Sequence, residues 1–227
     1  KDLLGTDYKE SLFEKIGVTK QGNFDGRNII HLTNGFSSYR ELWQDTDSGA
    51  NPKSILLRKR NSRVKPFKDE KAIVSWNALM TQAFCEGYLA TGDNNLKEKA
   101  IQNTKMLLNL EMDNGILPRL EINNSVVGCA FLEDYAGLAI ACISVYEITF
   151  DETWLHEAKR LQDDLVQMFW DEAATKFYDV SATNNQLIVR PSTEYDNVTP
   201  SGASIALSLL IKTQKITGSM KYNDIII

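Results

Sequence analysis

Histidine and cysteine are scarce in this chain, and the few there are do not cluster. His31 and His156 are the two histidines among 227 residues. They stand far apart, and no HExxH or Cys/His grouping supplies the converging ligands that zinc requires. Neither a metal nor a cofactor is therefore expected. Cys85, Cys129 and Cys142 show no CxxC spacing. Cys85 and Cys142 fall within apolar helical patterns, which suits reduced core thiols of a cytoplasmic protein, with a nucleophilic cysteine as the competing reading. Long hydrophobic runs are missing as well. No stretch approaches the roughly 18 uninterrupted apolar residues of a spanning helix, and the start KDLLGTDYKE lacks the basic end and apolar run of a signal peptide. Membrane insertion is not expected. Nor is there a basic excess: the formal charge of -5 argues against nucleic acid as partner of the whole chain, because duplex binding needs clustered Lys and Arg.

What is present is enough apolar sequence, 43% of positions, to bury a sizeable core in one domain or a large part of one. The strongest signal is an internal repeat aligned on Thr91-Gly92-Asp93, Thr149-Phe150-Asp151 and Thr217-Gly218-Ser219. Fifteen residues before each Thr stand Trp76, Asp134 and Gly202; five residues after it stand Leu96, Trp154 and Tyr222. Trp76, Leu79, Met80, Ala83, Phe84 and Gly87 recur at helical spacing, as do Tyr135, Leu138, Ala139, Cys142, Val145 and Tyr146. Each segment therefore reads as a helix. Asp93, Asp151 and Ser219 read as N-caps of a second helix, whose apolar face is clearest at Trp154, Leu155, Ala158, Leu161, Leu165, Met168 and Phe169.

The fold expected is thus all-α: a single domain over 1–227, with an opening helix and a basic loop segment in 1–75 and helical hairpins at 76–110, 134–170 and 202–227. The repeat starts are 58 residues apart (76 to 134) and then 68 (134 to 202). The excess over common helical repeats sits in the Gly-, Pro- and Asn-bearing connections, where short strands are expected. Those long loops should lie together at one end of the assembly, since each feeds the first helix of a hairpin. The last hairpin stops at Ile225-Ile226-Ile227, an apolar end that implies a fragment or a partner that completes the core.

VTKQGNFDGRNIIH, RKRNSRVKPFKDEKAIVSWNALM, FLEDYAGLA and TPSGASIA occur in an order that resembles the spermatogenesis-associated protein 20 family. The resemblance covers roughly residues 12 to 222. It implies a C-terminal six-hairpin α/α toroid, about half of which this chain would hold, and a thioredoxin-like domain in the same full-length protein as its partner. It also implies kinship in fold with N-acylglucosamine 2-epimerases and six-hairpin glycosidases.

Asn77, Asp134 and Ser201-Gly202 fall at starts of first helices, which in a toroid form the inner ring. Their side chains should converge, and helix N-termini favour a polar or anionic ligand. Glu133, Asp134 and Asp196 are the candidate acid and base of glycoside chemistry. Trp76 and Tyr135 are candidate platforms for a sugar ring. Asp134 and Ser201 are equally ordinary N-caps, and Trp76 and Tyr135 equally packing residues. Residues 53 to 71 carry a local net of +6. Such a run is usually a solvated loop, but the Arg58, Arg60, Pro66, Asp69, Lys71 and Trp76-Asn77 pattern is characteristic of the resembling family and implies a structured loop over the cavity mouth. Arg58 or Arg60 would clamp a carboxylate or phosphate bidentately, with Lys71 as a point charge, or else they pair with Glu133, Asp134 or Asp196.

Three readings follow. The first is a carbohydrate-active domain taking a small sugar-like molecule, hydrolase-like rather than epimerase-like because neither histidine sits in a matching motif. The second is a noncatalytic ligand-binding or regulatory domain serving the thioredoxin-like domain. The third is a scaffold with an exposed apolar patch.

Overall fold

A computed structural model describes Leu4 and residues 10–33, 51–111, 115–184 and 187–227. They fall into two compact units, Lys1–Lys68 and Asp69–Ile227.

In the first unit, helix α1 (Glu10–Lys15) contributes the buried Leu12, which meets Ile16, Leu4 and the half-buried Ile55 and Leu56 of α2 (Pro52–Asn61). The sequence reading puts 52–61 in a basic loop; it is a helix instead. Asn51 accepts the Lys53 N–H at 2.9 Å, Pro52 opens the first turn, and Arg58, Lys59 and Arg60 close the last one. That arrangement satisfies the helix start and sets cations on the negative end of the dipole. The GNFDG turn is tied by Asn23, whose amide donates to the Gly17 and Ile29 carbonyls at 2.6 and 2.8 Å. Gly17 has φ +67°, and a Cβ there would lie 2.1 Å from the His31 ring, so only glycine fits.

The second unit holds the three hairpins. Helix α3 (Val74–Thr91) pairs with α4 (Asn94–Leu108), α5 (Leu132–Thr149) with α6 (Glu152–Phe169), and α7 (Gly202–Thr217) with the short α8 (Asn223–Ile226). Helix α5 packs against α6, α3 and α7 and is buried from Asp134 through Val145. Its Ala and Gly positions allow that crowding: a Cβ on Gly137 would stand 3.4 Å from the Ala78 Cβ of α3. Helix α6, by contrast, buries a stripe of Trp154, Ala158, Leu161, Leu165 and Phe169 and turns its charges outward, each large side chain contributing about 1.5–3 kcal/mol of burial. Short strands occupy the long connections as expected. β1 (Ala72–Ile73), β2 (Pro118–Ile122) and β3 (Ser125–Cys129) form one antiparallel sheet in that order, and β4 (Trp170–Asp171) pairs with β5 (Lys176–Phe177). Asn123 and Asn124, both at positive φ, make the two-residue turn between β2 and β3.

The repeat seen in the sequence is a repeated clasp. Thr91, Thr149 and Thr217 are each the last residue of a first helix, and each hydroxyl donates to the carbonyl four residues back at 2.7 Å. Each also accepts the N–H two residues on, at 3.2, 3.3 and 3.2 Å. The residue between is left-handed: Gly92 at φ 70°, Phe150 at 56° and Gly218 at 70°. Asp93 and Asp151 then cap α4 and α6 through Asn95 and Thr153 N–H, as expected. Ser219 does not cap α8. Its hydroxyl accepts the Lys221 N–H at 3.4 Å, and the helix starts only after Tyr222. Phe150 is 78% exposed and pays a Cβ penalty in its left-handed conformation that glycine avoids. Phe150→Gly is expected to raise stability by about 0.5–1 kcal/mol, read as a higher urea midpoint at unchanged slope.

Trp76 is the clearest departure from the helical reading of the sequence. Helix α3 buries Val74, Ser75, Ala78, Thr81 and Cys85, which leaves Trp76 66% and Met80 50% exposed. Cys85 and Cys142 are core thiols, pushed by burial up to about 11 and about 12; Cys129 is exposed. Among the described residues, no helix is long and apolar enough to cross a membrane.

Candidate functional site

The long connections bring the N-termini of α3, α5 and α7 together. Strand β1 leads into α3, so β2 beside it delivers Arg119 to the first turn of α5. There Asp134, fully buried, accepts four hydrogen bonds from three donors. The Phe131 N–H that begins its own helix lies at 2.8 Å and the Ser75 N–H of α3 at 2.9 Å; Arg119 Nη1 lies at 2.9 and 2.8 Å from its two oxygens. Burial pushes the Asp134 carboxyl up from its ordinary value, against the pull of Arg119 and the Phe131 and Ser75 amides. Asp134 is thus the knot that ties two hairpins and a strand; it stands at the third position of α5, bonding back to the N-cap residue Phe131 rather than being the N-cap itself, and no face of it is open.

Glu133, one residue earlier, is the outward-facing carboxylate. It lies 2.6 Å from Arg119 Nη1 with 35% of its side chain exposed. The Arg119 guanidinium also lies 4.8 Å from the Phe131 ring centroid. Burial works against the guanidinium's charge, but Asp134 and Glu133 more than offset it, so its pKa is raised. The pairing sought between the carboxylates and Arg58, Arg60 or Lys71 is made by Arg119. Lys71 binds Asp69 at 3.1 Å, while Arg58 and Arg60 stand exposed on α2 in the first unit.

Glu133 and Arg119 face a cavity of about 430 Å³ walled also by Asp179, Thr193, Tyr195 and Ser201-Gly202. Ser201 caps α7 by accepting the Ser204 N–H at 3.1 Å. Gly202 brings α7 so close to α5 that a Cβ there would lie 3.1 Å from both the Glu133 nitrogen and the Leu132 Cγ. Asp196 accepts the Ser201 N–H at 2.9 Å; that bond, with the Ser204 hydroxyl, holds its carboxyl below the usual value. It supports the α7 start from the side rather than lining the cavity. Asn77 likewise clips its own helix start, donating to the Ile73 carbonyl at 2.9 Å. Tyr135 is buried, its hydroxyl accepting the Leu117 N–H at 3.0 Å, and so stands apart from the polar cavity.

Two residues of the site were missed in the sequence. Asp179 lies in the connection after β5, where its carboxylate takes the Thr193 hydroxyl at 2.8 Å and N–H at 3.3 Å and its carbonyl takes the Leu132 N–H at 2.9 Å. Arg119 is the lone cation in the otherwise apolar ILPRL, a signal that was available. Among the described residues, no group of three His, Cys, Asp or Glu side chains could hold a metal ion.

No family model matches the chain. In sequence it is 28% identical over 180 residues, 74% of its length, to spermatogenesis-associated protein 20 of Mus musculus. It spans 23% of that relative's length. In fold it is similar to the GH76 α-mannanase of Bacteroides thetaiotaomicron, with a TM-score of 0.58 at 22% identity, covering 72% of this chain and 44% of the mannanase. It is also similar to the GH76A α-1,6-mannanase of Salegentibacter, solved as an inactive variant with two consecutive aspartates changed to asparagine and bound to α-1,6-mannotriose. There the TM-score is 0.55 at 16% identity, covering 77% of this chain and 49% of that one. The three hairpins are therefore part of an α/α toroid, and the chain is a relative in sequence of the spermatogenesis-associated protein 20 proteins.

Proposed function

We propose that this part of the toroid carries a pocket for a neutral carbohydrate at its loop end and that the chemistry done there is glycoside hydrolysis. The observation that carries this reading is the placing of two carboxylates, Glu133 and Asp179, on the walls of one cavity, which is the equipment an acid and a base require. Asp134 acts as the positioning residue that fixes Arg119 and, through it, Glu133. Its adjacency to Glu133 parallels the two consecutive aspartates whose replacement accompanies inactivity in the Salegentibacter mannanase. The ligand is neutral rather than anionic, because the one cation among the described residues of the cavity wall, Arg119, is already committed to Asp134 and Glu133, and Asp179 adds a further negative charge. The exposed Tyr195 on the rim offers a face for a sugar ring.

One observation favours a second reading, a noncatalytic binding domain for the thioredoxin-like partner implied by the family. Glu133 is held in an ion pair with Arg119 at 2.6 Å, so its carboxylate is already engaged within the protein.

Turnover separates the two. Release of para-nitrophenol from para-nitrophenyl α-mannoside, and cleavage of α-1,6-mannotriose, should fall roughly 100-fold or more in Glu133→Gln and in Asp179→Asn, the usual scale for losing an acid or base. Binding of α-1,6-mannotriose without any cleavage by the unmodified chain would establish the binding domain instead, and absence of both binding and cleavage would remove carbohydrate altogether.

A further inference from the structure

A second cavity, of about 390 Å³, lies beside the polar one and shares two of its walls, Phe131 and Val180. The two segments that build the polar cavity build this one as well. Along 129–135, Glu133 lines the first while Cys129, Ala130 and Tyr135 line the second; along 179–184, Asp179 lines the first and Ser181 the second. The first cavity carries the charged Arg119, Glu133 and Asp179, and no charged side chain lines the second among the described residues. Met168 and Phe169 close the second cavity from the end of α6, and its polar side chains Ser181, Thr183 and Asn184 lie together on one segment of the wall. The Tyr135 hydroxyl holds the Leu117 N–H at 3.0 Å, and the Ser181 and Thr183 hydroxyls hold each other at 3.0 Å. The wall facing that segment is aromatic edge, alkyl surface and the two polarisable sulfurs of Cys129 and Met168, a lining suited to an aromatic or branched alkyl group. The size falls within the range of small-ligand pockets.

We propose that this cavity is the subsite for an apolar substituent, an aromatic ring or short branched alkyl group, carried by the ligand whose polar part lies against Glu133. The substrate class is then a glycoside with an apolar aglycone rather than an unadorned oligosaccharide. The inference rests on the carbohydrate reading of the polar cavity. The common walls Phe131 and Val180 place the two binding surfaces within one molecule's reach, so a single ligand gains from both without paying association entropy twice.

Methyl α-thiomannoside and phenyl α-thiomannoside, which share a sugar and resist hydrolysis, test the two cavities separately in the whole chain. Calorimetry should show the phenyl compound binding roughly tenfold to hundredfold tighter, the increment expected from burying one ring. Cys129 supplies an independent readout, since it lines the cavity and is exposed while Cys85 and Cys142 are buried. The phenyl compound should protect Cys129 from N-ethylmaleimide, read by mass spectrometry, and the methyl compound should not. Alkylating Cys129 first, or plugging the mouth with Thr183→Trp at an exposed position, should erase the phenyl advantage and leave methyl affinity unchanged. Equal affinities, or a phenyl compound that binds without protecting Cys129, would overturn the subsite while the methyl compound's binding keeps the polar cavity intact. A methyl compound that fails to bind while the phenyl one still protects Cys129 would keep the apolar site and sink the carbohydrate reading.

Discussion

Asp134→Ala should cost about 3–5 kcal/mol of folding free energy, the scale on which removing one partner of a buried, hydrogen-bonded ion pair is felt. Two amides lose their acceptor at once, that of Ser75 beginning α3 and that of Phe131 beginning α5, and Arg119 of β2 is left with Glu133 as its carboxylate partner. An orphaned amide without water costs about 1–3 kcal/mol in its own right, so the loss is distributed over two hairpins and the sheet edge. Urea unfolding followed by far-UV circular dichroism measures it, against a whole-domain stability of only about 5–15 kcal/mol. Pairing the change with Arg119→Met should recover part of the loss, because the half-buried guanidinium that has lost its fully buried partner is removed with it. Glu133→Gln should cost under about 1 kcal/mol, since its pair with Arg119 is partly solvated. Two neighbouring carboxylates thus divide: one is buried in the fold and the other, paired with Arg119, faces the cavity. An Asp134→Ala protein as stable as its parent would refute the knot.

The second large effect is at Phe169→Ala, expected to cost about 3–5 kcal/mol. Phe169 is fully buried at the end of α6 with its ring centroid 5.6 Å from that of Tyr135, so truncation removes both area and a tilted ring contact. The last turn of α6 would lose its grip on α5 just where the connection to β4 begins. Tyr135→Phe isolates the remaining component. It keeps the ring pair but strands the Leu117 N–H, for about 1–3 kcal/mol. Thermal unfolding of the two variants ranks packing above the single hydrogen bond; the reverse order would mean that Tyr135 serves mainly as a polar tether for the 115–118 segment.

The helices were legible because their signals are local. A Thr, a left-handed residue and an Asp within three positions mark the end of one helix and the start of the next, and periodicity fills in what lies between. Ser219 misled because one hydroxyl caps a turn as readily as a helix, and its neighbours Met220 and Lys221 do not extend it. The basic run misled differently: charge suggested a loop, whereas Asn51 and Pro52 had already specified a helix start. The site was legible only in part. Glu133, Ser201 and Gly202 stand where helix N-termini meet, which the repeat predicts. Arg119 and Asp179 lie in connections without a period, and Asp134 finds its Ser75 partner across 59 residues, a distance over which pattern is silent. Trp76 belongs to the same class of error, since periodicity reveals an apolar stripe on α3 without saying which side α5 will cover.

The clasps have a consequence for how such a sequence can change over time. All three first helices end on the same threonine geometry, while the residues that vary in number between hairpins enter at the opposite end. Lengthening a flexible connection is cheap, about 0.6 kcal/mol for each doubling. New residues can therefore be tried at the cavity rim without disturbing how a hairpin is closed, and selection for a different ligand can proceed there while the clasped end is kept under selection for folding alone.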